Sequence, residues 1–489
     1  MLAYDITLFA STLLFAIVAF AFSRHHAASV FHPVTIYLAF HGFIFVVRPI
    51  MSRIFDYDLV YTIYRFQPSI EDRITVILAA SLGLLVFVSV CLRLARDPIV
   101  FVQDQFDARH REALIQPFAF ACLLLVPVAL YAIYETWSAS ASGVSSMTMD
   151  NDYGVRINTE ASGYFVDLQL VLATISVMCA WLFRYRLVAL MPFFLFFLLR
   201  MGTGSRGPFV FAAALLILLY LYDNRRRWPE LRSAALAALV VLAFVFVVQD
   251  RGKSIRELFI EDDSVVYSGG YDVAPLEHMD FANMEYFEFV VYAVPQRTGT
   301  YDYFASNLQI FTEPIPRVWW PGKPIGPPIK FFNLFDYGRP VGITFSLPGY
   351  GWYEMGYGGV IILTALFAAF YAWIYRRMIA RNHANFAVLF SMTMIATTVI
   401  AYRDGSFVSI AKMSLFYLMP IGLTFAFAKL FNIPSAAEMR RRATAMMRGE
   451  NVAGNRAGAG LAGRGGGAVD GVMTPAARRA QLAGMYRKT

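Results

Sequence analysis

The residues of this chain best suited to chemistry are charged groups set against long apolar runs. Arg200-Met201-Gly202-Thr203-Gly204-Ser205-Arg206-Gly207-Pro208 lies between two uncharged stretches, 187–199 and 209–222. Gly202, Gly204 and Gly207 spell G-x-G-x-x-G, yet no strand-like alternation precedes them and no Lys-Ser/Thr closes a P-loop, so a nucleotide site is excluded. What remains is flexible backbone, two arginines and a proline suited to open a helix, a combination that fits an anion at a membrane boundary. Glu354 and Asp404 are carboxylates at the edges of apolar runs, and either has the chemistry of a general base. Arg48, Arg297, Arg317, Lys323 and Arg403 join Arg200 and Arg206 as candidate phosphate ligands, because clustered guanidiniums suit a multiply charged anion. Trp319, Trp320, Trp352 and Tyr353 offer flat faces on which sugar rings pack. Each has a plainer alternative: a snorkelling or carboxylate-paired arginine, a carboxylate paired with Arg403 or Arg206, a tryptophan anchored at the lipid interface. No His-x-x-x-His, clustered Cys or Asp-x-Asp stands where it would hold a metal, so chemistry without metal or cofactor is expected.

The elements that must position these residues follow from composition. With 489 residues, 58% hydrophobic and 16% charged, and a mean hydropathy of +0.52, the chain is too apolar for a soluble globular protein. The expected fold is all-α, a polytopic transmembrane helical bundle of about 11 spans with a long, partly helical periplasmic loop. The apolar segments are 6–22, 34–51, 74–92, 113–134, 164–183, 187–199, 209–222, 231–248, 357–375, 384–401 and 407–431. The segments 187–199 and 209–222 are short enough to be thin spans or a re-entrant pair. Helices 1–8 thus fall in 1–248, the large loop in 249–356 and helices 9–11 in 357–431. In that loop an acidic stretch leads to an amphipathic portion, 286–308, with a break at Pro295.

The positive-inside rule assigns Arg93, Arg96, Arg109, Arg111, Arg184, Arg186, Arg225–Arg227, Arg232, Arg376, Arg377 and Arg381 to the cytoplasm, with the C-terminus inside and the long loop outside. Residues 432–489 carry ten Lys/Arg against three Asp/Glu, which accounts for most of the net charge of +8. Rich in Gly, Ala and Arg, that stretch reads as a disordered basic cytoplasmic tail near anionic headgroups, not a nucleic-acid site. Cys91, Cys122 and Cys179 all fall in apolar runs and read as small apolar residues. The first six residues lack the basic start of a cleaved signal.

Four pieces, taken in order, resemble the O-antigen and oligosaccharide repeat-unit polymerases of bacterial surface polysaccharide assembly, the Wzy class. They are Thr203-Gly204-Ser205-Arg206-Gly207; Ile315-Pro316-Arg317-Val318-Trp319-Trp320-Pro321-Gly322-Lys323-Pro324; Gly351-Trp352-Tyr353-Glu354-Met355-Gly356-Tyr357-Gly358-Gly359; and Arg403-Asp404-Gly405. The resemblance covers most of 164–431, while the odd span count departs from the family's usual even layout. It implies a glycosyltransferase of the bacterial inner membrane, acting on undecaprenyl-pyrophosphate-linked repeat units on the outer face, beside a chain-length regulator and a flippase of the same pathway. An O-antigen ligase shares the layout and would want a histidine in the outer loop, where only His278 stands. A flippase or transporter of lipid-linked saccharides would show internal repeats, and none is visible.

Overall fold

Seven helices among the described residues are long and apolar enough to cross a membrane, and they form one bundle in this computed structural model. The structure describes residues 2–64, 66–101, 104–141, 147–150, 155–158, 167–201, 207–230, 276–277, 281–312, 315, 319–320, 344–381 and 384–447. The seven are α1 (Leu2–Ser23), α2 (Pro33–Phe55), α4 (Ile70–Leu94), α6 (Gln105–Glu135, with a turn at Leu114), α11 (Leu347–Ala380), α12 (Asn385–Asp404) and α13 (Phe407–Leu430). Three shorter apolar helices are α7 (Leu168–Leu182), α8 (Leu187–Leu199) and α9 (Gly207–Asp223). Two more are too short to span, α3 (Leu59–Tyr64) and α10 (Asn283–Ala293). Gln105–Ala113 of α6 is its own amphipathic turn, α5, started by an Asp104/Asp107 capping box. The chain divides into two units, Met1–Ala437 with the bundle and Glu438–Thr489; the last described helix, α14, is Ala436–Met447.

Ten of the eleven apolar segments coincide with these helices, and the eleventh, 231–248, lies outside the described residues. Between α6 and α7 the described residues add an antiparallel hairpin, β1 (Met147–Asp150) against β2 (Val155–Asn158). The portion read as amphipathic and partly helical, 286–308, does hold helical pieces, but its main helix, α10, is buried on nearly all sides against α4 and α11, not on one face. It stops at Ala293, one residue short of the residue before Pro295, as the loss of a backbone donor requires.

The bundle is organised around α4 and α11, which share the longest contact. Tyr37 of α2 stacks on Phe87 of α4 with centroids 4.1 Å apart, and Tyr402 of α12 meets both edge-on. Tyr371 of α11 fixes the far side through a 3.0 Å hydrogen bond between its hydroxyl and that of Thr397. Outside this core apolar side chains face outward: Phe9, Leu13, Ile17 and Phe20 of α1 are all exposed, as residues in contact with lipid must be.

The first eight residues of α11 form a helical turn that folds back on the rest of it. Met355 (φ −163°, ψ 37°) and Gly356 (φ +58°, ψ −140°) break the helix. The corner brings Gly351 against Val360 and Gly359 so closely that a Cβ on Gly351 would lie 2.7 Å from Val360 Cα, and one on Gly359 would lie 2.0 Å from the Gly351 carbonyl oxygen. Both atoms met are backbone, so nothing can move aside. Gly359→Ala should therefore cost about 1–3 kcal/mol or more, whereas Gly422→Ala, with nothing within 4 Å, should leave the thermal midpoint of detergent-purified protein unchanged. Equal midpoints for the two variants would refute the close contact.

Candidate functional site

One end of the bundle collects three of the sequence motifs' neighbourhoods. The turn Arg403-Asp404-Gly405 closes α12, with Gly405 at φ +77°, and a Cβ there would meet Tyr350 Cβ at 2.6 Å. Ser346, the N-cap of α11, donates its N–H to the Arg403 carbonyl at 2.8 Å, and Asn283 of α10 donates to the same carbonyl at 3.3 Å. The loop after α10 then lays its backbone over the corner: Asp302 N–H bonds the Tyr353 carbonyl (3.1 Å) and Tyr303 N–H the Glu354 carbonyl (2.9 Å). These loop amides satisfy carbonyls that the broken helix would leave unpaired.

Glu354 is 0% exposed. Its carboxylate accepts from the Phe304 N–H and from the Asn307 amide, and Asn307 in turn accepts the Phe407 N–H at 3.0 Å. Asp302 lies beside Glu354, and it accepts from the Ser306 N–H at 2.7 Å and the Tyr353 hydroxyl at 3.3 Å. Asp404 lies near Tyr350, beside Ser409 and Arg403. The carboxylate of Glu354 has the chemistry to accept a proton, and the loop residues Phe304 and Asn307 bond to it.

The remaining candidates divide by surroundings. Trp352 donates its indole N–H to the Val294 carbonyl at 2.9 Å, and both it and Tyr353 are buried, so neither presents an open ring face. Trp319 and Trp320 are exposed, at 80% and 38%. Arg297 is exposed and stacks 3.8 Å over the Tyr292 ring. Arg200 closes the α8 backbone, its side chain outside the described residues, as are Arg206, Arg317, Lys323 and His278. Gly207 opens α9, consistent with a helix starting at Pro208.

Arg48 is buried and taken up within the protein. Its Nε donates to both Glu285 oxygens at 2.8 Å, and its terminal nitrogens to the carbonyls of Leu276 (2.5 Å) and Glu277 (3.4 Å). Glu277 caps α3 by accepting the N–H groups of Asp58 and Leu59. One turn beyond Glu285, Glu288 accepts the Tyr61 hydroxyl at 2.5 Å, with Arg73 3.9 Å away. Glu277, Glu285, Glu288, Asp302 and Asn307 were missed from sequence. Glu285 and Glu288, three apart on one helical face within Asn283–Ala293, were the available signal: an apolar helix carrying two acids needs buried partners. Burial, reinforced by the nearby Glu285 charge, raises the Glu288 carboxyl from 4.5 to about 7, although Arg73 and Tyr61 oppose the shift.

This fold and site define an α-helical membrane protein with a buried polar cluster at one end of its bundle. Compared with models of known families, with curated proteins and with solved structures, the chain matches none.

Two outcomes follow from the buried charges. Arg48→Met or Glu285→Leu alone should destabilise by about 3–5 kcal/mol, and the double variant by much less, because breaking a buried pair leaves one charge stranded; additive losses in a double-mutant cycle would contradict this. For Glu288 the folded value lies above the unfolded one, so its stabilising contribution is complete below pH 4.5 and is lost as pH rises through about 7. Glu288→Gln should flatten the fall of the melting midpoint across that window; an unchanged slope would assign it to another group.

Proposed function

We propose that the protein is a membrane glycosyltransferase that polymerises undecaprenyl-pyrophosphate-linked oligosaccharide repeat units into surface polysaccharide. The observation that carries this reading is the meeting of sequence-distant pieces at one end of the bundle. The Gly351–Gly359 corner, the Arg403–Gly405 turn and the loop that follows α10 contain or flank motifs that resemble the polymerases in their order along the chain. Supporting it, Trp319 and Trp320 are exposed, aromatic faces suited to sugars.

In this reading an acceptor sugar hydroxyl attacks the anomeric carbon of the growing chain. The new glycosidic C–O bond forms as the bond to the lipid pyrophosphate breaks, and the hydroxyl proton passes to a carboxylate. Glu354 is the proposed base, with Asp404 as its alternative, and the lipid pyrophosphate leaves bound to arginines that include Arg403 and those of the 200–206 motif. The protein belongs on this reading in the bacterial inner membrane as a multi-pass chain of about 11 spans, its C-terminus cytoplasmic and 249–356 periplasmic. Arginines at the opposite end of the bundle favour that orientation: Arg111 pairs there with Asp223 at 2.6 Å, and Val30 donates to the Arg227 carbonyl. The pathway's chain-length regulator and flippase are the proposed partners.

Purified protein given lipid-linked repeat units should form an oligomer ladder and release lipid pyrophosphate without added metal. Glu354→Gln should slow this about 10²–10⁴-fold while folded protein is still recovered. Near-normal ladders in that variant would move the role of base to Asp404 or to no side chain, and no ladder from the unaltered protein would overturn the reading.

A further inference from the structure

A second polar feature stands apart from the Glu354 cluster. Tyr4 of α1, Ser52, Arg53 and Asp56 from the end of α2, Tyr57, and Arg73 of α4 line a cleft of about 340 Å³. Its two guanidiniums are only loosely engaged. The nearest carboxylate oxygen to Arg73 is Glu288 Oε2 at 3.9 Å, beyond hydrogen-bond reach, and the buried Nε of Arg73 has no hydrogen-bond acceptor. Arg53 meets Asp5 at 3.4 Å in a pair whose two side chains are both exposed, a contact of little strength. Glu288, with its pKa near 7, offsets Arg73 only in part at neutral pH.

The positive charge is not that of a helix terminus, because the start of α4 is already closed by the Ser69/Asp72 capping box. One carboxylate, Asp56, shares the wall and is exposed at the rim. The lining of the cleft therefore carries two cations, one anion and two phenol rings. The residues beside the lining positions are apolar and outward-facing: Leu2, Ile6, Ile54, Phe55 and Ile70 are exposed, the surroundings of a site at the boundary of the hydrocarbon layer.

We infer that this cleft holds the headgroup of a zwitterionic phosphoethanolamine lipid, its phosphate between Arg53 and Arg73 and its ammonium at Asp56. Charges of both signs in the lining favour a headgroup carrying both signs over one carrying phosphate alone. Guanidiniums donate in forked pairs to phosphate oxygens, and the primary ammonium donates three hydrogen bonds, of which a carboxylate accepts the strongest. The inference is independent of the glycosyltransferase reading, since it concerns a different set of side chains and needs no turnover.

The test is lipid titration of detergent-purified full-length protein, followed by native mass spectrometry and thermal unfolding, with phosphatidylethanolamine, phosphatidylglycerol and inorganic phosphate as separate probes. Phosphatidylethanolamine should bind saturably and raise the melting midpoint. Arg53→Gln, a surface change, should weaken that binding about tenfold with the lipid-free midpoint unaltered, and Arg73→Gln should do the same if it folds. Asp56→Asn should weaken phosphatidylethanolamine and leave phosphatidylglycerol unaffected. An equal response to inorganic phosphate, an equal affinity for the two lipids, or an Arg53→Gln variant that binds as the unaltered protein does would overturn the inference.

Discussion

Backbone pressed on backbone at Gly351 and Gly359 is the constraint on which the rest of this end of the molecule depends. A straight helix would carry residues eight positions apart about 12 Å from each other, and only the break at Met355 and Gly356 lets them touch. That break leaves carbonyls without helical partners, and the loop at 302–303 supplies the missing amides. The same fold-back turns Tyr350 toward Gly405, so the end of α12 is seated by the corner as well. Position of Glu354, closure of the loop over it and docking of the Arg403 turn are therefore one event, not three.

Buried charge is managed by a second device, a helix inserted for its carboxylates. Asn283–Ala293 has the apolarity of a core element and two acids three residues apart, and it delivers them to Arg48 and to Tyr61. In a low-dielectric interior a guanidinium such as Arg48 is held only when both its charge and its N–H groups are met. Here the carboxylate of Glu285 and the carbonyls of Leu276 and Glu277 do both. The segments 1–64 and 276–293 are thereby tied across more than two hundred residues of chain.

The helical bundle was legible because length and apolarity announce themselves, and the short segments flanking Gly202–Arg206 emerge as short helices for the same reason. The glycines of Gly351–Gly359 were legible as a motif but not as a corner, since sequence shows that a Cβ is absent without showing what stands in its place. Trp352 read as a platform for sugar because composition cannot tell an exposed indole from one whose N–H is spent on Val294. Glu285 and Glu288 were hidden by a different failure. Their helix reads from sequence as part of a long loop between spans, and only tertiary packing reveals that it is buried against α4 and α11. Likewise Asp302 carries no signal of its own in sequence; it matters through contact with Glu354, fifty-two residues away in the chain.

The Arg48–Glu285 pair has a consequence for the order in which the molecule comes into being. Its members are 237 residues apart, so the ribosome delivers the arginine to the bilayer long before the carboxylate that neutralises it exists. Through that interval α2 carries a lone cation, which a nascent chain tolerates by keeping it near water or headgroups. Final seating of α2 must then await the arrival of α10, making the first and middle thirds of the protein mature together and leaving a product that stops before α10 with an unanswered charge in its second helix.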